Sequence, residues 1–482
     1  MKKTLLACVL ILSGCLFSTV VDAAISLPAI ISSNMVLQRN AKVTLWGWAN
    51  AGERLTIKAS WLKADANVTA DSKGNWKVQV ETTNSKKPQS LWIYSSKEKI
   101  SLDNILFGEV WLCSGQSNME IPVSGYAGQP VYGAQEAITN TTNDDIRLFT
   151  VSVQASLTPE NKLGAYKGWQ SATPESVKDF SAVAYFFGKH LQKMLGVPVG
   201  LIHSSWGGSL IEAWMSSEAL GSIKKIDLSN VDLKRGNRFP TVLFNAMINP
   251  LIPYTIKGTI WYQGEANTSQ PTLYKSLFPA MVKDWRSRWG IGDFPFYYVQ
   301  IAPFAYSKQN RLDDADNSAF LREAQLQCLD LIPNSGMAVT LDIGTEHIIH
   351  PPDKKDVADR LLYNALNKTY GYKAIDYSGP VFDSMYMKNG GIYISFKNAE
   401  KGLYAFDKLS GFEIAGADRI FYPADAFIYN RNEVFVKSDK VASPVAVRYG
   451  WRNWTVGTLF DTFLLPASSF RTDSWDDAKQ CE

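Results

Sequence analysis

Histidine and cysteine are scarce in this 482-residue chain, which contains four histidines and five cysteines. The cysteines are widely spaced, so they indicate neither a disulfide framework nor the close ligand pairs of a metal site. A metalloprotease signature such as HExxH is also missing. A histidine general base, the usual kind, must therefore be His190, His203, His347 or His350.

Excess charge of one sign and long apolar segments are missing as well. Lys plus Arg number 49 against 46 Asp plus Glu, which gives a formal net charge of +3. That balance indicates neither nucleic-acid binding nor a basic membrane anchor. Beyond the N-terminus no segment is long and apolar enough to span a bilayer. We also find no internal repeat and no low-complexity tract.

The N-terminus has the features of an export signal. Lys2 and Lys3 precede an apolar run at 5–12, and small residues suitable for cleavage follow up to Ala24. Residues 12–15, Leu-Ser-Gly-Cys, also resemble a lipobox, in which Cys15 would be lipidated. The apolar run continues past this cysteine, which favours plain cleavage. We expect a signal peptide at 1–24 and a periplasmic or extracellular protein, with tethering through Cys15 as the alternative.

Three regions with different residue patterns follow the signal. Residues 25–106 alternate apolar and polar positions between turn signals, which predicts an N-terminal β-domain. Residues 107–368 alternate short apolar strands with helical stretches, which predicts an α/β domain with a parallel sheet flanked by helices. Residues 369–474 return to strand patterns and predict a C-terminal β-domain. Both β-domains are expected to be sandwich-like.

Four polar loops follow predicted strands of the central region, at the sheet edge where α/β proteins build their sites. Ser117 lies in a tight, Gly-containing strand-to-helix turn, where its hydroxyl can be a nucleophile or an ordinary N-cap. The pair Gly207-Gly208 lets backbone N–H groups approach a ligand, or forms a plain turn. The amide of Asn267 can donate to an oxyanion or bond its own loop.

The fourth loop contains two of the four histidines. His347 and His350 lie close to Asp342, so this loop can supply the base that a serine nucleophile needs. Two histidines three residues apart also suggest metal ligands, but no pattern for a third ligand supports that reading. His190, on an amphipathic helix, and His203, at a strand end, are expected to be structural.

Together the four loops resemble motif blocks of the SGNH hydrolase superfamily, and within it the sialate O-acetylesterase-like enzymes. The blocks are 114–119 (SGQSNM), 205–214 (SWGGSLIEAW), 258–267 (GTIWYQGEAN) and 342–354, with its His-Pro pair and final lysine. The end of the chain, 465–473, is similar to the family's LPASPFRTD, with Ser469 in place of proline. The order and spacing of these blocks extend the resemblance over most of the mature chain.

The resemblance implies a carbohydrate O-acetylesterase in which Ser117 is the nucleophile and His350 the general base. It implies an oxyanion hole formed by the Ser117 N–H, the Gly208 N–H and the Asn267 side chain. Three further residues of the same blocks are expected to support the site: Gln116, Gln263 and Glu265. Neither a metal nor a cofactor is expected.

The third triad position departs from the wider superfamily pattern. Many SGNH enzymes carry an aspartate three residues before the catalytic histidine, and that position here is His347. Asp342 matches the D-x-G position of the sialate O-acetylesterase-like block, and we expect it to be the third triad residue. A serine–histidine pair acting without it is the alternative, and Glu265 and Glu346 are the other candidate carboxylates.

The implied substrate is an acetylated sugar, and 9-O-acetyl sialic acid is the expected one. Acetyl-xylan or another acetylated polysaccharide is the alternative, because a fold does not determine a substrate. A sugar-binding protein without catalysis is a third reading, against which the joint presence of Ser117, Gly208, Asn267 and His350 argues. Neither a nucleic-acid partner nor a membrane span is expected, and the oligomeric state stays open.

Overall fold

The computed structural model describes residues 24–311, 313–314 and 317–481. The export signal expected at 1–24, including Cys15, lies outside the described residues except for Ala24. Among the residues that the structure describes, no helix combines the length and the apolar character needed to cross a membrane.

The N-terminal region consists of strands that pair antiparallel, except for β1, which pairs in parallel with β7. Its strands are β1 (Val36–Gln38), β2 (Lys42–Trp48), β3 (Arg54–Ala59), β4 (Ala66–Thr69), β5 (Asn75–Glu81), β6 (Gln89–Tyr94) and β7 (Lys99–Gly115). β2 pairs with β5, while β4, β3, β6 and the first part of β7 form a second sheet. Burial along β5 alternates because successive side chains point to opposite faces.

The central region alternates strands and helices, as its residue pattern predicts. Its strands are β8 (Asn143–Val151), β9 (Tyr166–Ala172), β10 (Val199–Ser205), β11 (Gly258–Tyr262), β12 (Phe296–Val299) and β13 (Ser335–Ala338). Its α-helices are α1 (Ser117–Glu120), α2 (Ala134–Thr139), α3 (Pro174–Lys178), α4 (Ala182–Leu195), α5 (Ser217–Gly221), α6 (Pro271–Trp289), α7 (Ala319–Leu331) and α8 (Lys354–Asn364). Short 3₁₀ or π-helical turns are Ile211–Trp214, Leu233–Arg238, Phe244–Ile248, Asn249–Leu251, Glu265–Asn267 and Ala365–Thr369.

The central sheet has the strand order β13-β12-β11-β7-β10-β8-β9. Neighbouring strands are parallel except β9, which runs antiparallel to β8. The sheet is therefore mixed, which corrects the expectation of a parallel sheet at this one edge. The connection 152–165 contains no helix to carry the chain across the sheet, so β9 returns directly beside β8.

Helices cover both faces of this sheet. On one face α6 and α7 bury Leu277, Leu321 and Cys328, and on the other α4 and α8 bury Phe187 and Leu361. Each of these leucine and phenylalanine side chains stabilises the fold by about 1.5–3 kcal/mol when it is fully buried. The two cores hold the sheet rigidly, so its carboxyl edge can position a site.

β7 joins the N-terminal region to the central sheet in one continuous strand of 17 residues. Its first part pairs with β6, and its last residues lie between β10 and β11. It therefore runs through the expected domain boundary at 106–107 without a break. The same strand ends at the turn that presents Ser117.

The C-terminal region contains two antiparallel sheets that enclose their own core. Its strands are β14 (Val381–Lys388), β15 (Gly391–Lys397), β16 (Leu403–Tyr404), β17 (Phe412–Ala415), β18 (Ile420–Pro423), β19 (Asp425–Asn430), β20 (Glu433–Lys437), β21 (Ala446–Tyr449), β22 (Phe460–Asp461), β23 (Phe470–Arg471) and β24 (Lys479–Gln480). The main sheets are ordered β14-β15-β20-β19 and β23-β21-β17-β18-β24, where only β24 is parallel to its neighbour. Ile394 and Val434 of the first sheet share a core with Ile414 and Val447 of the second.

A buried arginine ties this region to the central one. The guanidinium of Arg322, on α7, donates to the Gly450 carbonyl at 2.9 Å and to the Ser469 hydroxyl at 3.2 Å. Ser469 stands where the family pattern has proline. Its hydroxyl accepts a hydrogen bond from the Arg322 guanidinium, which a proline side chain could not do. The segment 465–473 therefore helps to hold the C-terminal β-domain against α7.

Candidate active site

Ser117 and His350 meet at the carboxyl edge of the sheet. Ser117 is the first residue of α1, directly after β7, and His350 lies in the loop between β13 and α8. The His350 Nε2 atom is 2.8 Å from the Ser117 Oγ atom. Both side chains are partly exposed, so a substrate can reach them. The structure thus brings together the expected nucleophile and the expected base.

The turn that presents Ser117 depends on Gly115 and Gln116. Gly115 has φ +143°, and a Cβ at this position would lie 2.1 Å from the Tyr262 carbonyl oxygen, so only glycine fits. The Gln116 N–H donates to the same carbonyl at 2.9 Å. The Gln116 side-chain oxygen accepts from the Gly264 N–H at 3.2 Å. Gln116 therefore couples the turn that presents Ser117 to the loop after β11.

The other ring nitrogen of His350 faces Gln129. The His350 Nδ1 atom is 2.5 Å from the Gln129 Oε1 atom. An amide oxygen can only accept, so this arrangement puts the proton on Nδ1 and leaves Nε2 to accept from the Ser117 hydroxyl. Gln129 is held by two backbone hydrogen bonds with Tyr126, in a turn where Gly128 has φ +71°. A neutral amide occupies the place where a serine triad has a carboxylate.

Asp342 lies elsewhere, which corrects its expected role as the third triad residue. Its carboxylate oxygens accept from the two terminal guanidinium nitrogens of Arg360, on α8, at 2.7 and 2.6 Å. Arg360 is largely buried and also donates to the Val339 carbonyl at 2.7 Å. The reason is electrostatic: the buried guanidinium needs a carboxylate, and Asp342 supplies both oxygens. Within the described residues the His350 ring bonds to no carboxylate, so Glu265 and Glu346 do not orient it either.

The ionisation of His350 suits a general base. Burial lowers its pKa to about 4, and the positive charge of Lys354 acts in the same direction. The ring is therefore neutral at neutral pH and can accept the hydroxyl proton of Ser117.

Three buried polar side chains, Asn118, Glu265 and Lys354, form a linked network beneath the nucleophile. The Asn118 amide donates to the Glu265 carboxylate at 2.5 Å and to the Ile349 carbonyl at 3.2 Å, while its oxygen accepts from the Lys354 ammonium. Burial raises the pKa of Glu265 and lowers that of Lys354 to about 7. Asn118 thereby connects the segment that carries the nucleophile to the segment that carries the base.

The glycine turn after β10 lies against the nucleophile. A Cβ on Gly207 would lie 3.4 Å from the Ser117 Cβ atom, and the Gly207 N–H donates to the Glu120 carboxylate. Gly208 has φ +65°, and within the described part of the chain its N–H has no hydrogen-bond partner. This N–H is therefore available to a ligand, as the oxyanion role requires.

Asn267 is fixed in its orientation by three neighbours. Its side-chain oxygen accepts from the Ile211 N–H at 3.0 Å and from the Gln263 amide at 2.7 Å. Its Nδ2 atom donates to the Glu212 carboxylate at 3.0 Å, which leaves one amide hydrogen unused by this bond. The hydrogen bond from Gln263 thus helps to fix the orientation of the Asn267 amide.

Within the described residues none of the other three histidines forms a hydrogen bond with Ser117. The side chain of His347 is 82% exposed, and His190 contacts Asp359 on α8. His203 is buried at the end of β10, where desolvation lowers its pKa to about 4. Among the residues that the structure describes, no group of three or more His, Cys, Asp or Glu is arranged to hold a metal ion.

Comparison with known proteins identifies the family to which this chain belongs. The family model described as "Carbohydrate esterase, sialic acid-specific acetylesterase" matches residues 108–354, just over half of the chain. The sialate O-acetylesterase of Homo sapiens is 31% identical over 471 residues, which cover 88% of this chain and 87% of the human protein. The chain belongs to the sialic acid-specific carbohydrate acetylesterase family.

Further relatives agree with this assignment. The sialate O-acetylesterase of Mus musculus is 27% identical and covers 88% of this chain and 89% of the mouse protein. The crystal structure of a carbohydrate acetylesterase from Xanthomonas citri is 36% identical, has a TM-score of 0.85 and covers 94% of this chain and 100% of that one. The family resemblance drawn from the loop blocks is confirmed, and the chain is a carbohydrate esterase.

Reasoning from the sequence missed two contacts in this acetylesterase site: the one between Asn118 and Lys354, and the one between Gln129 and His350. Asn118 and Lys354 lie inside recognised blocks, so their positions were marked even though their contact with each other was not. Gln129 had no such signal, because it is a lone amide in a loop that is 221 residues from His350 along the chain. Only the folded chain shows that it contacts His350.

Proposed function

We propose that this acetylesterase removes O-acetyl groups from sialic acids, with the 9-O-acetyl ester as the expected target. The supporting observation is the 2.8 Å contact between the Ser117 hydroxyl and the His350 ring, in a chain 31% identical to a sialate O-acetylesterase. A neutral histidine next to a serine hydroxyl is the arrangement that activates serine for acyl transfer.

In the first half-reaction Ser117 Oγ attacks the acetyl carbonyl carbon while His350 Nε2 takes the hydroxyl proton. The carbonyl oxygen becomes an oxyanion, which receives hydrogen bonds from the Ser117 N–H, the Gly208 N–H and the Asn267 amide. The C–O bond to the sugar then breaks, and His350 returns the proton to the leaving alkoxide. An acetyl-serine and a free sugar hydroxyl remain.

In the second half-reaction water attacks the acetyl-serine. His350 Nε2 takes a proton from the water, and the same donors stabilise the second oxyanion. The bond to Ser117 breaks, the proton passes to its Oγ atom, and acetic acid leaves and gives up its own proton to solvent, which yields acetate. No cofactor takes part in either step of the proposed cycle.

Gln129 acts in this proposal as a positioning residue for His350. Its amide oxygen keeps the proton on Nδ1 before each transfer and faces the ring when it becomes imidazolium. An amide carries no net charge, so it stabilises the imidazolium less than a carboxylate does. The pair Ser117 and His350 therefore works with an orienting amide, while Asp342 serves the fold.

A substrate comparison tests the proposal. Acetate release from 9-O-acetyl sialic acid and from acetylated xylan is measured at one pH and temperature, and the sialic acid ester is expected to have the higher kcat/KM. Ser117→Ala should lower kcat by about 10⁴-fold or more. Ser124→Ala, at an exposed serine seven residues further along the chain, serves as the matched control. Preference for acetylated xylan would reject the sialate assignment, and near-normal turnover by folded Ser117→Ala would reject the mechanism.

We further propose that the mature enzyme is exported. Mass spectrometry of the mature N-terminus should find Ala24 or Ile25. A diacylated Cys15 would instead show that the lipobox is used and that the enzyme is tethered to a membrane.

A further inference from the structure

Arg238 stands at the rim of the active site, next to the glycine turn. It ends the 3₁₀ turn Leu233–Arg238 and is exposed. Its Nη2 atom lies 3.8 Å from the position that a Cβ on Gly208 would occupy. Gly207, the preceding residue, packs against Ser117. The Arg238 guanidinium therefore lies beside the residue that directly follows the one in contact with Ser117.

The segment that carries Arg238 is fixed to the glycine turn at two points. The Asn237 amide donates to the Gly207 carbonyl at 2.7 Å, and the Leu210 N–H donates to the Asn237 carbonyl at 3.0 Å. A Cβ on Gly236 would lie 3.5 Å from the Trp206 ring, so the segment also packs on that side chain. The backbone of Arg238 is therefore held in place beside the site.

The charge of Arg238 is unused by the described part of the protein, where its side chain has no hydrogen bond, ion pair or ring contact. Arg360 and Arg448 differ, since each binds a carboxylate through two nitrogens. Guanidinium groups carry five N–H donors in a fork that matches a carboxylate. A free fork at the rim of an active site is suited to an anionic group of the substrate.

A negative group lies on the nucleophile's side of the turn. The Glu120 carboxylate accepts from the Gly207 N–H, and it lies 3.0 Å from the position of a Cβ on that glycine. The rim is therefore polarised, with a carboxylate close to Ser117 and a guanidinium beyond Gly208. An anionic substrate is repelled at the first position and attracted at the second.

We propose that Arg238 binds the carboxylate of an acidic acetylated sugar and thereby determines specificity. This inference rests on the proposed function, because sialic acid carries a carboxylate and xylan is a neutral chain. In a sialic acid the 9-O-acetyl group and the carboxylate are at opposite ends of the nine-carbon skeleton. The proposal therefore places the acetyl group at Ser117 and the carboxylate beyond Gly208, at Arg238.

The test compares three esters with Arg238→Gln: 9-O-acetyl sialic acid, the methyl ester of its carboxyl group, and p-nitrophenyl acetate. For the free acid, the variant should raise KM about tenfold, the usual effect of losing a charge-assisted hydrogen bond, with little change in kcat. For the two uncharged substrates kcat and KM should stay within twofold. Arg238→Lys should restore part of the loss for the free acid.

Arg235→Gln is the matched control, because Arg235 is an exposed arginine on the same turn. It should leave all three substrates unaffected, and thermal unfolding should show that both variants are folded. An equal KM increase for the acid and its methyl ester would overturn the carboxylate role. If wild type cleaves the acid but Arg238→Gln leaves its KM unchanged, this inference fails while the proposed function stands. If wild type does not cleave acetylated sialic acid at all, both fail.

Discussion

The two sides of Ser117 differ in how their polar groups are used. On the buried side Asn118, Glu265 and Lys354 are 1%, 7% and 1% exposed, and they bond to one another beneath the turn. On the open side Gln129 holds the ring of His350, and the Gly208 N–H has no partner within the described residues. The buried side uses its hydrogen bonds to hold two loops together. The open side keeps donors free for a substrate.

Residues that stabilise the fold and residues that are expected to take part in the reaction therefore lie within a few positions of each other. A change on the open side should lower turnover and leave the melting temperature near that of wild type. A change on the buried side should lower the melting temperature, because it strands a polar or charged partner away from water. The predictions below are ordered by their expected effect on turnover.

His350→Ala should have the largest effect, a loss of about 10⁴-fold or more in kcat, since the base for both half-reactions is lost. His347→Ala is the matched control, and because that side chain is 82% exposed its turnover should stay close to wild type. Acetate release from p-nitrophenyl acetate measures both variants. A larger loss for His347→Ala would show that the base is wrongly assigned.

Asn118→Ala tests the buried side. It removes the bonds to Glu265, Lys354 and the Ile349 carbonyl, so it should cost about 2–3 kcal/mol of the free energy of unfolding. Turnover should fall about tenfold, with KM nearly constant, because the nucleophile and base segments lose their link. Urea unfolding and steady-state kinetics give the two numbers, and the exposed Asn230→Ala is the control. A folded variant with unchanged stability and kcat would remove Asn118 from the site.

Gln129→Glu should move the pH profile more than it changes the maximum rate. Neutral His350 is the active form, so kcat/KM of wild type falls only as the pH drops through a pKa of about 4. A carboxylate beside Nδ1 favours the imidazolium and raises that pKa, so the acid limb should shift to higher pH.

Gln135→Glu, an exposed residue of the following helix, controls for added charge and should leave the limb in place. The profile of kcat/KM is measured through the acid range for wild type and both variants. An acid limb that is identical in Gln129→Glu and wild type would show that Gln129 does not contact the histidine.

Asp342→Asn should have the smallest effect on turnover, within a few-fold of wild type. It leaves the buried Arg360 guanidinium without its charged partner, so the free energy of unfolding should fall by about 3 kcal/mol. Asp383→Asn breaks an exposed ion pair with Lys397 and should cost less than about 1 kcal/mol. A large fall in kcat at unchanged stability would restore Asp342 to a catalytic role.

Much of the fold could be predicted from local patterns. Strand patterns on both sides of a region that alternates strands and helices were predicted, and the structure has this arrangement. The antiparallel strand β9 was not predicted, since its residues alternate weakly and its pairing with β8 depends on a long connection. Patterns within ten residues determine which element forms, but they carry little information about which neighbour it pairs with.

The Ser117 turn and the loop that carries Asp342 and His350 show the same contrast between what local sequence reveals and what folding decides. Ser117 was recognisable because its turn requires glycine at 115, which leaves a mark in the sequence itself. Asp342 was assigned to His350 because both lie in one loop, yet nearness along the chain does not show where a carboxylate points. Arg360, one helix away, is the stronger partner because its buried charge must be compensated.

The sequence alone therefore determined the family, and it was enough to single out Ser117 and His350 as the expected nucleophile and base. Only the tertiary structure decided that Gln129 orients His350, that Asp342 serves Arg360, and that Arg238 lies free beside the glycine turn. The physical reason is that turns and periodic burial are short-range properties, whereas the partner of a polar side chain is set by which groups folding brings within hydrogen-bond distance.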